Sequence, residues 1–361
     1  MRLVDINGRF LTQAITGVQR VAEQVVQALD HELGANPALR SRYFFRLLTP
    51  AAGCRSLALG NIPAAPVGRL SGQLWEQVEL PIHSRGRLLL NLCNTAPLAQ
   101  RGVAVIHDAS VFAVPQAYSR AFRAWYRTLI PLLGRRALRV ITVSRFSQGE
   151  LSRRAGIPLS KMTVMPLGAE HILDGPADSG IFARVPVERG RFILAVGSRS
   201  PHKNVAAVGA AVSRLGAERL PLVIVGGANP RIFTASADTN GGSFSTGYVS
   251  DGELRALYEN AMCLVYPSLY EGFGLPPLEA MLCGCPTVVG NTASLPEVCG
   301  DAALLCDPRD PDDIAKGISL LIEDPARREE LRRRGAVRAR GFTWKRAADA
   351  LVAILDEVDA A

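Results

Sequence analysis

The chain has 361 residues, of which 48% are hydrophobic and 20% are charged, and its formal net charge is +8. This composition is typical of a folded globular protein and excludes a disordered chain, and the length suffices for two domains of ordinary size. Neither an apolar run that could cross a bilayer nor an apolar amino-terminal leader is present, so we expect a cytoplasmic protein.

The positive charge is concentrated in the first half of the chain. Residues 1–185 contain 22 Lys and Arg against 11 Asp and Glu, whereas residues 186–361 contain 19 against 22. We therefore expect the two halves to bind different partners, with an anionic membrane surface or an anionic acceptor suited to the first half. Nucleic acid would also suit this charge, but no recognised binding motif accompanies it, so we expect no nucleic-acid partner.

The seven cysteines are odd in number and scattered, without a Cys-x-x-Cys pair. Their apolar neighbours predict buried free thiols in a reducing compartment. Cys283 and Cys285 could form a fragment of a metal site, but no second ligand pair accompanies them, so a packing role is the simpler interpretation.

Apolar runs alternate with helical patterns along the chain, which predicts parallel sheets with crossover helices. The predicted strands of the first half are Leu3–Ile6, Tyr43–Leu48, Leu88–Leu92, Ala104–His107, Val140–Val143 and Thr163–Pro166. The predicted helices there are Val18–Leu29, Tyr118–Leu138 and Phe146–Ala155.

The predicted helix Tyr118–Leu138 combines an apolar stripe with many arginines. Arg120, Arg123 and Arg127 lie away from the stripe, whose members are Phe122, Trp125, Tyr126, Leu129, Ile130 and Leu133. A core helix with a basic solvent face is the simpler interpretation, and a helix that lies on a membrane interface is the alternative.

The second half repeats the alternation after a break. Residues 168–190 contain four glycines and two prolines without periodicity, which predicts a linker at 171–190 between a domain of residues 1–170 and a domain of residues 191–343. Further strands are predicted at Phe192–Val196, Leu222–Val225, Cys263–Tyr266, Thr287–Val289 and Ala303–Leu305, and closing helices at 310–322, 325–340 and 344–358. Two Rossmann-like domains of the α/β class that face a cleft fit this layout, with ligands at the carboxyl ends of the strands.

One segment carries most of the functional information. From Tyr266 to Val289 the sequence is YPSLYEGFGLPPLEAMLCGCPTVV, in which Glu271 precedes a Gly-Phe-Gly loop and Glu279 lies about one turn inside the following helix. Glycines allow a ligand to approach the backbone, and the free N–H groups of a helix start suit a phosphate. Carboxylates on both sides can accept hydrogen bonds from hydroxyl groups. Phosphate and hydroxyl groups together describe a nucleotide sugar.

This segment resembles the Glu-x7-Glu motif of the retaining glycosyltransferases of family four, which have the GT-B fold. The resemblance implies that Glu279 binds the ribose hydroxyls and that Glu271 contacts the transferred sugar. It also implies that Phe273, Gly274 and Leu275 present backbone amides to the sugar and the diphosphate. The final helix, residues 344–361, would then pack back on the amino-terminal domain. A helix with an ordinary amino-terminal turn and one surface glutamate is the alternative.

Two further segments resemble this family. Ser200-Pro201-His202-Lys203-Asn204 resembles its phosphate loop, so Lys203 would neutralise the diphosphate and Arg199 would assist, although many relatives carry this arginine one position earlier. His107 resembles the histidine that contacts the donor sugar, and it ends a predicted strand. A polar capping turn and a structural histidine are the respective alternatives.

Gly17 precedes a predicted helix, whose start would face the donor phosphates if the resemblance holds. Asp310 and Asp312 form an Asp-x-Asp pair, which binds a divalent metal in other glycosyltransferases. Carboxylates in a first helical turn are expected from the helix dipole, so we favour helix capping and expect neither a metal nor a cofactor.

The resemblance thus implies a retaining, metal-independent glycosyltransferase that moves a hexose or deoxyhexose from a nucleoside diphosphate sugar, with GDP-mannose favoured over uridine and thymidine sugars. The expected acceptor is a saccharide, free or linked to polyprenyl diphosphate, in surface polysaccharide synthesis at the inner face of the cytoplasmic membrane. A non-catalytic nucleotide-sugar binding protein and a phosphorylase-like enzyme on the same fold are the alternatives.

Overall fold

The computed structural model describes residues 1–197, 200–216, 220–227 and 242–360. Two compact units divide the chain: Met1–Gly168 with Thr343–Ala361 form the first unit, and Ala169–Phe342 form the second. The predicted linker, residues 171–190, lies within the second unit, where Ile181 and Val185 are buried.

The first unit contains a parallel sheet of seven strands in the order β3-β2-β1-β4-β5-β6-β7. The strands are β1 Arg2–Asn7, β2 Tyr43–Pro50, β3 Ala64–Val67, β4 Leu88–Asn91, β5 Gly102–Val105, β6 Arg139–Thr142 and β7 Met162–Val164. The helices are α1 Gly17–Ala35, α2 Pro37–Arg42, α3 Gly72–Leu74, α4 Leu80–His83, α5 Ser110–Ala113, α6 Arg120–Arg136 and α7 Arg145–Ala155, and a π-helical turn, Trp75–Glu79, joins α3 to α4. Strand order reverses between β1 and β4, so the carboxyl ends of these strands border a crevice.

The second unit contains a parallel sheet of six strands in the order β10-β9-β8-β11-β12-β13. The strands are β8 Ile193–Val196, β9 Leu222–Val225, β10 Ser243–Gly247, β11 Cys263–Tyr266, β12 Thr287–Gly290 and β13 Leu304–Cys306. The helices are α8 Ile181–Arg184, α9 Val205–Val212, α10 Asp251–Asn260, α11 Leu275–Leu282, α12 Leu295–Cys299, α13 Pro311–Glu323 and α14 Pro325–Arg340. The reversal of strand order here lies between β8 and β11.

The last helix, α15 Trp344–Ala360, belongs to the first unit and packs against α1. Leu351 and Leu355 are fully buried, and the Asp356 carboxylate accepts a hydrogen bond of 2.6 Å from the Tyr43 hydroxyl. The chain therefore returns to its first unit after completing the second.

Central strands such as β4 and β11 are buried at every residue, as expected where helices cover both faces of a parallel sheet. Two strands were not predicted, and each lies at an edge of its sheet. β3 contains Pro66 and β10 reads SFSTG, so neither has the apolar run by which the others were recognised. Among the described helices, none is both long enough and apolar enough to span a bilayer.

The apolar stripe of α6 divides into two parts. Leu129, Ile130 and Leu133 are buried in the core of the first unit, whereas Phe122 and Trp125 remain 40% and 39% exposed. The prediction of a core helix therefore holds for the second half of α6. The aromatic residues Phe122 and Trp125 of the first half are partly exposed to solvent.

Candidate active site

A lysine, a glutamate and a tyrosine meet at the carboxyl ends of the two central strands of the second unit. Lys203 follows β8 and Glu271 follows β11, and the Lys203 Nζ lies 2.6 Å from the Glu271 Oε1. The Tyr266 hydroxyl, at the end of β11, accepts a hydrogen bond of 2.9 Å from Lys203 and donates one of 2.7 Å to the same glutamate oxygen. This cluster occupies the point of strand reversal, where ligands of open α/β sheets bind.

The cluster keeps both charges at neutral pH. Burial opposes ionisation of Glu271, but the Lys203 ammonium and hydrogen bonds from Lys203, Ser268 and Tyr266 hold its pKa below the usual value. Burial likewise opposes the charge of Lys203, and the Glu271 carboxylate outweighs it and raises the lysine pKa. Burial and the Glu271 charge raise the pKa of Tyr266, so its hydroxyl stays protonated. Among the described residues two oxygens contact Nζ, which leaves its third N–H bond for a ligand.

The backbone fixes the lysine in place. His202 and Lys203 lie in a short 3-10 turn, and the His202 carbonyl accepts hydrogen bonds from the Leu269 N–H at 2.7 Å and from the Ser268 hydroxyl at 3.0 Å. Asn204 adopts a left-handed conformation at φ 55° and donates its side-chain amide to the Pro308 carbonyl at 2.5 Å. These contacts tie the loop after β8 to the loops after β11 and β13, so the charged pair is preorganised.

The loop after Glu271 offers backbone N–H groups. Within the described part of the chain, no acceptor contacts the N–H groups of Phe273, Gly274 or Leu275, and α11 begins at Leu275. Gly274 has φ 110°, a conformation that favours glycine, and an added Cβ would lie 2.7 Å from Leu295. The Ser294 hydroxyl donates a hydrogen bond of 2.7 Å to the Phe273 carbonyl oxygen, which holds the loop in position. Such free N–H groups at a helix start can bind an anion.

Glu279 lies inside α11, 7% exposed, and both of its carboxylate oxygens have partners. Oε2 accepts a hydrogen bond of 3.1 Å from the Tyr258 hydroxyl, and Oε1 lies 3.2 Å from the His171 Nε2. Burial, followed by the Glu279 charge, raises the pKa of Tyr258 well above its usual value. Ribose hydroxyls would use the remaining lone pairs of this carboxylate, and its assignment to ribose stays a prediction.

His107 and Gly17 lie in the first unit. Strand β5 ends at Val105, two residues before His107, and the buried imidazole has its Nε2 at 2.9 Å from the Leu92 carbonyl oxygen. Burial lowers the pKa of His107, although the hydrogen bond to Leu92 and the negative charge of Asp108 both act to raise it. The ring is therefore neutral at neutral pH. Gly17 is the first residue of α1, and a Cβ added there would meet nothing within 4 Å. Packing therefore does not require a glycine at this position.

A cavity of about 480 Å³ opens at the strand reversal of the first unit. One wall is an aromatic stack in which the Phe122 ring lies 5.1 Å from that of Tyr118 and 4.2 Å from that of Tyr126. The lining also includes Arg9, 7% exposed, whose Nε lies 3.2 Å from the Glu76 Oε1. Aromatic faces beside charged and polar groups form a surface suited to a sugar ring, which has apolar faces and polar edges.

The candidate metal ligands have other roles. Asp310 caps α13 by accepting from the Asp312 N–H at 2.9 Å, and the Asp312 carboxylate lies 2.6 Å from the Arg214 guanidinium. Asp313 accepts from the Asp307 N–H. Within the described ranges, no group of three or more His, Cys, Asp or Glu could hold a metal. Arg199 lies outside the described residues.

Sequence reasoning did not single out Tyr266, Tyr258, His171 or Ser294. Tyr266 ends a predicted strand at the carboxyl side of the sheet, which is a usable signal for a site residue. His171 lies in the segment predicted to be a linker, and the sequence gives no signal that it meets a helix more than a hundred positions later.

Comparisons with known proteins agree with this architecture. The chain is similar to the O-antigen chain mannosyltransferase B of Escherichia coli, with 34% identity over 258 residues that cover 68% of each chain. It is also similar to a GDP-mannose-dependent alpha-(1-6)-phosphatidylinositol dimannoside mannosyltransferase of Mycobacterium tuberculosis, with 36% identity over 111 residues that cover 30% of this chain and 29% of the relative. The sucrose-phosphate synthase of Thermosynechococcus elongatus has the same fold, with a TM-score of 0.76, 18% identity and complete coverage of both chains.

Two parallel-sheet units with polar clusters at their strand reversals, together with this structural likeness, show the GT-B fold and confirm the predicted fold class. The profile of the family described as glycosyl transferases group 1 matches residues 181–338, which contain the Lys203–Glu271 cluster and Glu279. The chain belongs to this family, and it is a glycosyltransferase.

Proposed function

We propose that this glycosyltransferase moves a mannosyl group from GDP-mannose to a saccharide hydroxyl, with retention of configuration, in the synthesis of a surface polysaccharide. The names of the two relatives support a mannosyl donor, and one of them specifies GDP-mannose. The observation that carries the proposal is the ion pair of Lys203 and Glu271 beside the free N–H groups of the loop before α11.

In this proposal the second unit holds the donor. The third N–H of Lys203 and the N–H groups of Phe273, Gly274 and Leu275 bind the diphosphate, whose negative charge increases as the sugar leaves. Glu271 keeps the Lys203 ammonium in place and accepts a hydrogen bond from a hydroxyl of the transferred sugar. Glu279 accepts hydrogen bonds from the ribose hydroxyls. No side chain serves as a covalent nucleophile, so positioning and charge stabilisation supply the rate enhancement.

A divalent cation has no necessary role in this arrangement. Lys203 and the N–H groups at the start of α11 supply positive potential where other enzymes use a metal. The three aspartates near the start of α13 already serve as caps and ion-pair partners. We therefore propose a metal-independent reaction without a cofactor.

The acceptor in this proposal is a saccharide carried on polyprenyl diphosphate, and it occupies the cavity of the first unit. The stacked rings of Tyr118, Phe122 and Tyr126 would pack against a sugar ring, and Arg9 would hydrogen-bond its hydroxyls. The lipid anchor would bring the enzyme to the inner membrane face. Each exposed arginine near an anionic surface contributes on the order of 1 kcal/mol of attraction, so α6 would support reversible attachment.

A panel of donors tests this proposal. Initial rates are measured with GDP-mannose, GDP-fucose, UDP-glucose and dTDP-rhamnose on a water-soluble mannoside, and the anomeric proton of the product is assigned by NMR. We expect turnover chiefly with GDP-mannose and an α-linked product. A preference for a uridine or thymidine sugar would refute the donor, and a β-linked product would refute retention.

Thermal shift separates binding from turnover. A nucleotide present at about one hundred times its dissociation constant should stabilise the protein by about 2.7 kcal/mol. We expect GDP to raise the unfolding midpoint more than UDP or dTDP. An equal response to all three would show that the base is not recognised.

A further inference from the structure

A buried glutamate contacts the lining of the cavity in the first unit. Glu76 is 1% exposed and belongs to the π-helical turn Trp75–Glu79, in which the Leu80 N–H bonds to the Trp75 carbonyl five residues earlier. A π-helical turn is wider than an α-helical one and often occurs at a functional site. Trp75 and Leu80 pack on Leu89 of β4, so the segment that supplies Glu76 is held firmly to the sheet.

Three polar groups converge on one oxygen of this carboxylate. Oε1 accepts hydrogen bonds of 2.7 Å from the Asn7 side-chain amide and of 2.9 Å from the Thr95 hydroxyl, and it lies 3.2 Å from the Arg9 Nε. The Asn7 amide also donates a hydrogen bond of 3.0 Å to the Asn91 side chain. Asn7 and Asn91 end β1 and β4, the two strands between which the strand order reverses. Glu76 is therefore built into the part of the sheet where ligands bind.

The guanidinium of Arg9 has only part of its hydrogen-bonding capacity left for a ligand. Glu76 covers its Nε, and its Nη2 donates a hydrogen bond of 2.9 Å to the Thr95 hydroxyl, which itself donates to Glu76. Nε and Nη2 form one of the edges with which a guanidinium binds a carboxylate or a phosphate through two parallel hydrogen bonds. The Tyr126 hydroxyl is hydrogen-bonded to the same guanidinium. The N–H groups that remain suit hydroxyl groups, each of which needs a single donor.

The charges around the cavity do not favour an anion. Among the described residues that line it, Arg9 and Asp108 are the charged ones, and their formal charges cancel. Glu76 adds a negative charge directly beside Arg9. Burial raises the pKa of the Cys93 thiol in the lining; the Arg9 charge opposes this effect, and the Glu76 charge adds to it. An acidic ligand in the cavity would therefore meet an arginine whose charge is already balanced.

We propose that Glu76 determines acceptor specificity, by restricting the cavity to a neutral sugar and excluding an acidic one. The stacked rings of Tyr118, Phe122 and Tyr126 suit the apolar face of either sugar, so they do not discriminate between the two. The balanced charge of Arg9 discriminates, because an acidic sugar would lose its hydration without gaining an unpaired positive charge.

Glu76 acts through Arg9 and is a positioning residue. The inference rests on the proposed function, which places the acceptor in this cavity. A purely structural ion pair is the competing explanation. Loss of a structural partner would weaken the binding of every acceptor alike, whereas loss of a balancing charge changes the ratio of affinities for a neutral and an acidic acceptor.

The test compares two ligands that differ in one group. 4-Nitrophenyl α-mannoside carries a hydroxymethyl group where the corresponding mannosiduronate carries a carboxylate. Their dissociation constants are measured by ligand-observed NMR in the presence of GDP, so that the measurement does not require turnover. Phe122→Ala should weaken the binding of both ligands alike, which assigns the binding to the cavity. Equal affinities of Phe122→Ala and the wild type would overturn the proposal.

Glu76→Gln and Glu79→Gln are then compared with the wild type. Glu79→Gln is the matched control, because it removes the same charge from the same π-helical turn. The Glu79 carboxylate accepts hydrogen bonds from the N–H groups of Arg69 and Leu70 and does not contact Arg9.

We expect the wild type and Glu79→Gln to bind the mannoside about tenfold more tightly than the uronate. In Glu76→Gln the affinity for the uronate, relative to that for the mannoside, should rise by about tenfold, because Arg9 then carries an unbalanced charge. This rise should become smaller in high salt. An unchanged ratio in Glu76→Gln, equal affinities of the wild type for both ligands, or binding of neither ligand would overturn the proposal.

A double variant keeps the test valid if Glu76→Gln does not fold. Arg9→Gln with Glu76→Gln removes both charges, which a protein tolerates better than the loss of one buried partner. We expect this variant to bind both ligands more weakly and to retain the preference for the mannoside. A preference for the uronate would overturn the proposal. Absence of transfer from GDP-mannose, in a wild type that binds the two ligands in the expected ratio, would count against the proposed function alone.

Discussion

The ammonium of Lys203 and the carboxylate of Glu271 are 68 positions apart in the chain and 2.6 Å apart in space. They meet because β8 and β11 are neighbours in the sheet although β9 and β10 separate them in sequence. The pair is buried enough that each charge depends on the other, so the same contact should govern stability and donor binding.

Lys203→Met should lower kcat by about 10²- to 10³-fold, because a preorganised positive charge is lost from the leaving diphosphate. Steady-state kinetics with the donor that proves active will measure this. Tyr266→Phe is the matched control, since it removes a hydroxyl of the same cluster without changing the net charge, and it should cost less. A Lys203→Met enzyme with wild-type kcat would remove the lysine from the reaction.

The ion pair should also give a defined pH dependence of stability. Lys203 depresses the pKa of Glu271, so the pair contributes stability above the ordinary value of about 4.5 and loses it as the pH falls through the lower folded value. In Lys203→Met, only the hydrogen bonds from Ser268 and Tyr266 still oppose the effect of burial on that pKa. We therefore expect the pKa of Glu271 to rise and the carboxylate to destabilise the fold at neutral pH. The difference in unfolding midpoint between wild type and variant should therefore grow from pH 4 to pH 7.

Adding Glu271→Gln to Lys203→Met supplies the control for this pH series. The double variant lacks both charges, so its unfolding midpoint should exceed that of Lys203→Met at pH 7. The difference in unfolding midpoint between the wild type and the double variant should vary less with pH than the difference between the wild type and Lys203→Met. A double variant less stable than the single one at pH 7 would contradict the interpretation of a mutually dependent pair.

Glu279→Ala should raise the KM for the donor with little change in kcat, because a ribose contact is present both before and during the reaction. His171→Ala should have the same effect to a smaller degree, since it removes one partner of the carboxylate. Kinetics and direct titration with the nucleoside diphosphate will measure both. Unchanged donor affinity combined with a large loss of kcat in Glu279→Ala would show that the residue acts elsewhere.

Gly17→Leu should leave the fold intact and weaken donor binding. A Cβ added at this position meets nothing within 4 Å in the protein, and the leucine side chain would occupy the space at the start of α1 where the phosphates are expected. Gly149→Leu in α7 is the matched control, because a Cβ is equally unobstructed there and the residue is far in sequence from every site residue. Equal donor affinities of the two variants would argue against a phosphate at Gly17.

Activity should survive an excess of chelator, because Lys203 and the start of α11 supply the positive potential that the diphosphate needs. Asp312→Ala, which breaks the ion pair with Arg214, should leave kcat unchanged. Rates are compared before and after chelation and again after magnesium or manganese is added. Complete loss with chelator and recovery with metal would restore Asp310 and Asp312 as ligands.

The sequence alone determined the elements that depend on local pattern. Buried central strands such as Cys263–Tyr266 carry an unbroken apolar run, and the prolines after Gly274 mark the start of α11 with Glu279 one turn inside. The alternation of strands and helices predicted two parallel sheets, and the segment from Glu271 to Glu279 predicted the family. These features are encoded by residues that are neighbours in the chain.

Tertiary structure decided what depends on distant partners. The edge strands β3 and β10 form because a neighbouring strand offers its backbone hydrogen bonds, which their own polar or proline-containing sequences do not indicate. Tyr258 and His171 reach Glu279, and the first half of α6 lines a cavity, only because strand order brings these elements together. Side-chain periodicity specifies which face of an element is buried, but it carries no information about the element that covers that face.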